Sequence, residues 1–173
     1  MLDLLKSRRS IRKFKDEEIE KEKIEKILKA GLLAPSSRAR RPWEFVAVSD
    51  KELLSKLSFS RAEGSSSFLA KAPLGIVIIA DKELCDVWIE DASIATTIIQ
   101  LTAHSLGLGS CWIQVRERNY DNITSSEDYI KEILNIPPKY AVLCMLAVGY
   151  ADEEKLSYDE NKLLYNKIHI NEF

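Results

Sequence analysis

Apolar residues at Ile19, Ile24, Ile27, Leu28, Leu32 and Leu33 recur at helical spacing, with Glu and Lys between them, until Gly31 and Pro35 break the pattern. This spacing predicts an amphipathic helix. Ahead of it, Leu2, Leu4 and Leu5 predict a shorter helix that runs into a basic cluster of Lys6, Arg8, Arg9, Arg12 and Lys13. Trp43 to Val48 is aromatic and β-branched, which predicts a strand, and a short helix is expected from about Lys51. Gly64 to Ser67 is small and polar, the signature of a flexible loop. Gly75 to Ala80 is a continuous apolar run between Pro73 and Asp81, as expected of a strand covered on both faces.

Val87 to Leu106 reads as a helix apolar almost all round, with Ile89, Ala92, Ile94, Ala95, Ile98, Ile99, Leu101, Ala103 and Leu106 leaving little polar face. Such a helix must be buried on several sides, so it is either the central core helix or partly turned toward another subunit. Gly107 and Gly109 end it, and Ser110 to Val115 follows as a strand. A helix from Ser126 to Leu134 and a buried strand from Ala141 to Val148 complete the periodic elements. The tail, 152–173, keeps Leu163, Leu164, Tyr165, Ile168, Ile170 and Phe173, too many apolar side chains for a free terminus. No repeat and no linker interrupts the order, so residues 1–173 are read as a single α+β domain with a docked tail.

Composition narrows the function classes. Of the 173 residues, 46% are hydrophobic and 30% charged, which fits a folded globular chain and not a disordered one. Lys plus Arg is 25 and Asp plus Glu is 27, a net charge of −2 that gives no global pull toward nucleic acid or acidic lipid. Any anion site must be local. The longest apolar run, Tyr140 to Ala151, is too short to span a bilayer, and no secretory leader is readable, so a cytoplasmic protein is expected. Three cysteines without a C-x-x-C pair and two histidines argue against a disulfide framework or a metal centre.

Two segments concentrate anion-binding groups. Arg8-Arg9-Ser10-Ile11-Arg12 sets three guanidinium forks and a hydroxyl within five residues, suited to phosphate oxygens, although a solvated basic turn has the same composition. Pro35-Ser36-Ser37-Arg38-Ala39-Arg40-Arg41-Pro42 is a second such loop, stiffened by its prolines; here a helix cap with arginines in water is the alternative. Both could grip one anionic ligand. Leu106 to Trp112 lacks the G-x-G-x-x-G spacing of a dinucleotide fold, and Cys111 and His104 are read as packing residues with no nucleophile-base pair in prospect. Binding groups without catalytic side chains suggest that a cofactor carries the chemistry.

Taken in order, four segments resemble the FMN-dependent nitroreductase family: Arg8 to Phe14; Ala34 to Ser37 with Pro42 to Phe45; Glu90-Asp91-Ala92 with Gly107 to Trp112; and Val148-Gly149-Tyr150 with the tail. The resemblance implies a central, mainly antiparallel mixed sheet flanked by helices, and a homodimer built around the long helix, with the tail on the partner subunit. It further implies that Arg8, Arg9, Ser10 and Arg12 hold the phosphate, ribityl chain and pyrimidine edge of FMN, while Pro35, Ser36, Ser37 and Arg40 approach from the other subunit. Trp112, Ile113 and Gln114 would lie along the flavin ring, with a backbone N–H near Gln114 directed at it, and Lys162 would add a tail cation. The implied activity is ping-pong transfer from NAD(P)H through FMN to a small-molecule acceptor such as a nitroaromatic or quinone. A specialised oxidase, dehydrogenase or dehalogenase of the same fold, or a non-catalytic flavin-binding protein, is the alternative. Ala39, Arg41 and Val115 depart from the common family pattern and bear on substrate preference.

Overall fold

In the computed structural model, which describes residues 1–62 and 64–173, the chain folds around a four-stranded sheet. Its strands are β1 (Trp43–Val48), β2 (Leu74–Asp81), β3 (Gly109–Gln114) and β4 (Tyr140–Gly149), in the order β1-β2-β4-β3. Every pairing among them is antiparallel. Parallel contact is confined to an isolated bridge between Ser10 and Ser110 at the outer edge of β3. The central strands β2 and β4 are buried along nearly their whole length, as their uninterrupted apolar runs require.

Helices cover both faces. On one lie α2 (Lys21–Leu32) and α4 (Trp88–Ser105), where Ile27, Ala92, Ile99 and Ala103 pack against Leu74, Ile76, Ile78 and Leu146. On the other lie α3 (Lys51–Ser58), α5 (Ser126–Leu134) and a short 3-10 turn, Ser67–Lys71, where Leu54, Leu57, Leu69 and Ile130 pack against Val77, Ile79, Val142 and Met145. The N-terminal α1 (Leu2–Ser7) has no buried residue. Two helices carry side-chain N-caps: Asp50 accepts the Leu53 N–H at the start of α3 and Ser125 accepts the Asp128 N–H at the start of α5.

The element order matches the hydrophobic pattern, with two local differences. Helix α2 begins at Lys21, so Ile19 lies in the preceding loop, buried by its own contacts with the α2–α4 layer. The stretch at Gly64 to Ser67 leads directly into the 3-10 turn, because Leu69 is drawn fully into the core. Helix α4 is covered on one side only by its own chain: Ile94 is 42% exposed, and Glu90 and Thr97 lie open beside it. Nearby, Leu32 and Leu33 at the end of α2 are also exposed. The tail touches the body through residues 151–160, then from Asn161 onward makes backbone bonds only within itself. Leu164, Ile168, Ile170 and Phe173 are all open.

Candidate functional site

Strand β3 is an edge strand, and its register decides what that edge offers. The Val115 N–H bonds to the Leu143 carbonyl, continuing the ladder in which Gly109, Cys111 and Ile113 face Gly149, Ala147 and Met145. Bonding alternates along an antiparallel pair, so the backbone groups of Ser110, Trp112 and Gln114 are directed away from β4. Ser110 spends its carbonyl on the Ile11 N–H at 3.0 Å. Beyond it, the Trp112 and Gln114 amides line an open edge. Side chains hold this stretch straight: Trp112 Nε1 donates to Gln114 Oε1 at 2.9 Å, and Gln114 Nε2 donates to the Arg116 carbonyl at 2.9 Å. Ile113 points to the opposite face and is core.

Against the start of this edge lies the first arginine segment. Its backbone is clamped by the residues that follow β4: the Lys15 N–H bonds the Tyr150 carbonyl, the Asp152 N–H bonds the Lys13 carbonyl, and Phe14 bridges Ala151. Glu153 Oε1 accepts the amides of both Arg12 and Lys13, at 2.6 and 3.2 Å. The Arg12 amide is the main reason that the Glu153 carboxyl is pulled down to about 2, with help from Lys155. Gly109 lets the segment approach, since a Cβ there would sit 2.8 Å from Ile11 Cβ. Neither Arg8 nor Arg12 has a carboxylate partner among the described residues. Arg9 differs, because its guanidinium bonds the Leu156 carbonyl and sits 4.7 Å over the Tyr158 ring.

The same corner holds His104, Cys111 and the Arg12 groove. His104 Nε2 lies 2.8 Å from Ser7 Oγ, and burial, then the Arg8 charge, lowers its pKa. Burial raises the Cys111 thiol above its usual range, in keeping with a packing role. Arg12 also walls a groove of about 480 Å³ lined by Lys13, Ser67, Phe68, Lys71 and Asp152, with its guanidinium 5.8 Å from the Phe68 ring. A larger hollow of about 700 Å³ between Phe14, Ile19, Lys51 and Pro73 carries the Asp16–Lys51 pair and is not lined by the β3 edge.

The second arginine loop is elsewhere. Ser37 N–H donates to Asp91 Oδ1 at 2.8 Å, and Arg38 pairs with Asp86 at 3.3 Å. Arg40 donates to the Leu84 carbonyl at 3.0 Å, while the Arg41 amide donates to Ser36 Oγ. Pro35, Arg40 and Arg41 are exposed. Ser7, the residue before the first loop, meets α4 at His104, and the second loop meets it at Asp91, thirteen residues or about 20 Å away along the helix axis. Lys162 stands on the tail two residues past Glu160, which pairs with Lys6 of α1 at 2.9 Å. Its side chain is 84% exposed, with Asp159 at 3.9 Å.

The structure therefore joins Arg8, Ser10, Arg12 and the Trp112–Gln114 edge, and separates Pro35, Ser36, Ser37 and Arg40 from them. Glu153, Phe68 and Lys71 carried no signal in the sequence, since nothing in their local spacing ties them to the arginines. Among the described residues no helix is long and apolar enough to cross a membrane, and no cluster of metal-ligating side chains occurs.

Known proteins give the arrangement its context. The chain is 60% identical, over the whole length of both, to a structure described as an FMN-dependent nitroreductase from Clostridium difficile R20291, with a TM-score of 0.98. A protein of Archaeoglobus fulgidus, provisionally named an NADH dehydrogenase/NAD(P)H nitroreductase, is 38% identical over 173 residues, covering 97% of this chain and 95% of its own. A Methanothermobacter thermautotrophicus protein of the same name is 35% identical, covering 88% and 78%. The model of the nitroreductase family matches residues 5–63 and 55–150. The four motifs, the sheet they are set on and these matches agree that the chain belongs to the nitroreductase family.

Proposed function

We propose that the protein is an NAD(P)H-dependent FMN oxidoreductase that works as a homodimer and passes electrons to an organic acceptor such as a nitroaromatic or a quinone. Family membership and the names of its relatives support FMN and a nicotinamide co-substrate. The observation that carries the reading is the corner where two guanidinium groups without carboxylate partners among the described residues meet an open strand edge with outward amides. Those residues suit FMN: Arg8 and Ser10 for its phosphate and ribityl chain, Arg12 for the pyrimidine edge beside the Phe68 groove, and the Gln114 N–H for the ring. When bound, FMN supplies the exchange of reducing equivalents.

The chain's own part is positioning and electrostatics. Glu153 holds the Arg12 and Lys13 amides, so the guanidinium stays aimed without being neutralised. Trp112 and Gln114 brace each other along the edge. Arg9 contributes through the tail it grips at Leu156 and Tyr158, and Lys162 follows on that tail. No side-chain nucleophile is required.

The spacing of the two loops along α4 supports the dimer. If two α4 helices pack antiparallel about a two-fold axis through the exposed Ile94 side, the N-terminal end of one lies opposite the C-terminal end of the other. Pro35, Ser36, Ser37 and Arg40 of one subunit then approach the first loop of the other, and the apolar tail residues find a surface. The test is purification with FMN, anaerobic reduction by NADH and by NADPH, then mixing with neutral and anionic acceptors, beside sedimentation of the same sample. A yellow dimer reduced by either nicotinamide and reoxidised by an acceptor is expected. A colourless protein that cannot be reconstituted would overturn the reading.

A further inference from the structure

The second loop has an unusual shape, and the one buried group among its anchors is a carboxylate. Arg38, Ala39 and Arg41 adopt φ values of 51°, 53° and 49°, a left-handed conformation that side chains rarely take and that costs on the order of 1 kcal/mol or more per residue. Three such residues within four positions do not persist unless their surroundings impose them. Asp91 is 3% exposed, in the first turns of α4, and has no cation within ion-pair distance among the described residues. Its Oδ1 accepts the Ser37 N–H and its Oδ2 accepts the Cys85 thiol at 3.4 Å. Arg38 pairs with Asp86 instead, on the surface. A carboxylate buried this deeply is costly unless each oxygen has a donor, so the Ser37 amide and Asp91 hold each other in place.

We infer that Asp91 is the positioning residue for the loop 36–41, holding it in the strained form in which Ser36, Ser37 and the arginines are presented at the N-terminal end of α4. The inference rests on the reading that this loop reaches the flavin of the partner subunit. Asp91 itself touches no ligand. Release of the Ser37 amide would let Arg38, Ala39 and Arg41 relax to ordinary φ values, moving the loop away from the partner's site while leaving the sheet and its core intact.

The test compares Asp91→Ala, Asp91→Asn and the surface control Glu52→Gln, which is remote from the loop on α3, in the full-length protein. Three quantities are read: the rate of tryptic cleavage after Arg38 and Arg40 without flavin, the FMN dissociation constant, and the visible circular dichroism of the bound flavin. Asp91→Ala should raise loop cleavage and weaken FMN binding, each by about tenfold or more, both following from loss of the bond between Asp91 and the Ser37 amide. Asp91→Asn, which keeps an acceptor oxygen for the Ser37 amide, should recover much of both, and Glu52→Gln should change neither. If Asp91→Ala fails to fold, Ser37→Pro against Ser37→Ala asks the same question by deleting the amide donor, since Ser36 already has the extended backbone that proline requires before it. A wild-type protein that takes up no FMN overturns the functional reading and this inference with it. A wild type that binds FMN, beside an Asp91→Ala protein of equal affinity and equal loop protection, overturns only this inference.

Discussion

Two arginine loops of similar composition are built by opposite means. The loop at Arg8 to Phe14 is laid between β3 and the residues after β4, with its amides spent on Ser110, Tyr150 and Glu153. None of its residues has positive φ. The loop at Ser36 to Arg41 has no strand beside it and is held by Ser36, Asp91 and the Leu84–Asp86 segment in a left-handed form. The first borrows the rigidity of the sheet and faces a strand edge in its own chain. The second is strained and faces outward. Guanidinium content alone says nothing about this difference; the backbone partners decide whether a basic loop is a preformed site or half of one.

The largest effect should come from separating the loops. Removing residues 160–173 leaves both loops with their own anchors but deletes Leu163, Leu164, Tyr165, Ile168, Ile170 and Phe173. We expect a monomer in sedimentation velocity and loss of flavin on gel filtration; a truncated dimer that stays yellow would show that the loops meet without the tail.

Next, Arg8→Ala and Arg12→Ala should each weaken FMN binding by about 10- to 100-fold, the equivalent of one charge-assisted hydrogen bond of roughly 1.5–3 kcal/mol. Arg9→Ala should act on the tail instead, raising its protease sensitivity more than it changes the dissociation constant. Equal effects of all three on flavin would erase the distinction between Arg9 and its neighbours.

Gly109→Ala tests how closely the first loop is seated. A methyl there meets Ile11 Cβ at 2.8 Å, which the rigid branch point cannot evade, so destabilisation of about 1–3 kcal/mol is expected in urea unfolding. Gly64, with open space around its Cβ position, is the matched site in a turn, where only its positive φ resists substitution.

Acid should loosen the first loop. The folded pKa of Glu153, about 2, lies below the unfolded value of about 4.3, so its contribution to stability is complete above the unfolded value and is lost as pH falls through the folded one. The protection of the Arg12 and Lys13 amides, measured against the intrinsic exchange rate at each pH, should fall between about pH 4 and pH 2, and Glu153→Gln should remove that acid step. The smallest effect is expected at Arg41, which is exposed and left without a side-chain partner among the described residues. Arg41→Gln should lower kcat/KM for an anionic acceptor a few-fold and leave a neutral one unchanged, provided salt is low enough not to screen the charge.

Much of this architecture was legible in the chain because it follows from local chemistry. Apolar runs at Gly75 to Ala80 and Ala141 to Val148 require strands covered on both faces, the 3.6 period around Ile24 to Leu28 requires an amphipathic helix, and the apolar girth of Val87 to Leu106 signals a helix in need of more than one neighbour. The motifs with Arg8 to Arg12 and Ser36 to Arg41 were visible for the same reason, being continuous in sequence. What only the tertiary structure decided depends on residues far apart in the chain. Ile11 meets Ser110, Glu153 meets Arg12, and Asp91 meets Ser37 across 99, 141 and 54 positions, each by backbone amides whose partners no residue type announces. That the two loops sit at opposite ends of α4 is likewise a matter of how the helix is laid on the sheet. Side-chain pattern determines which face is buried, but the direction of an amide at a strand edge is set by register, and register exists only once the strands have met.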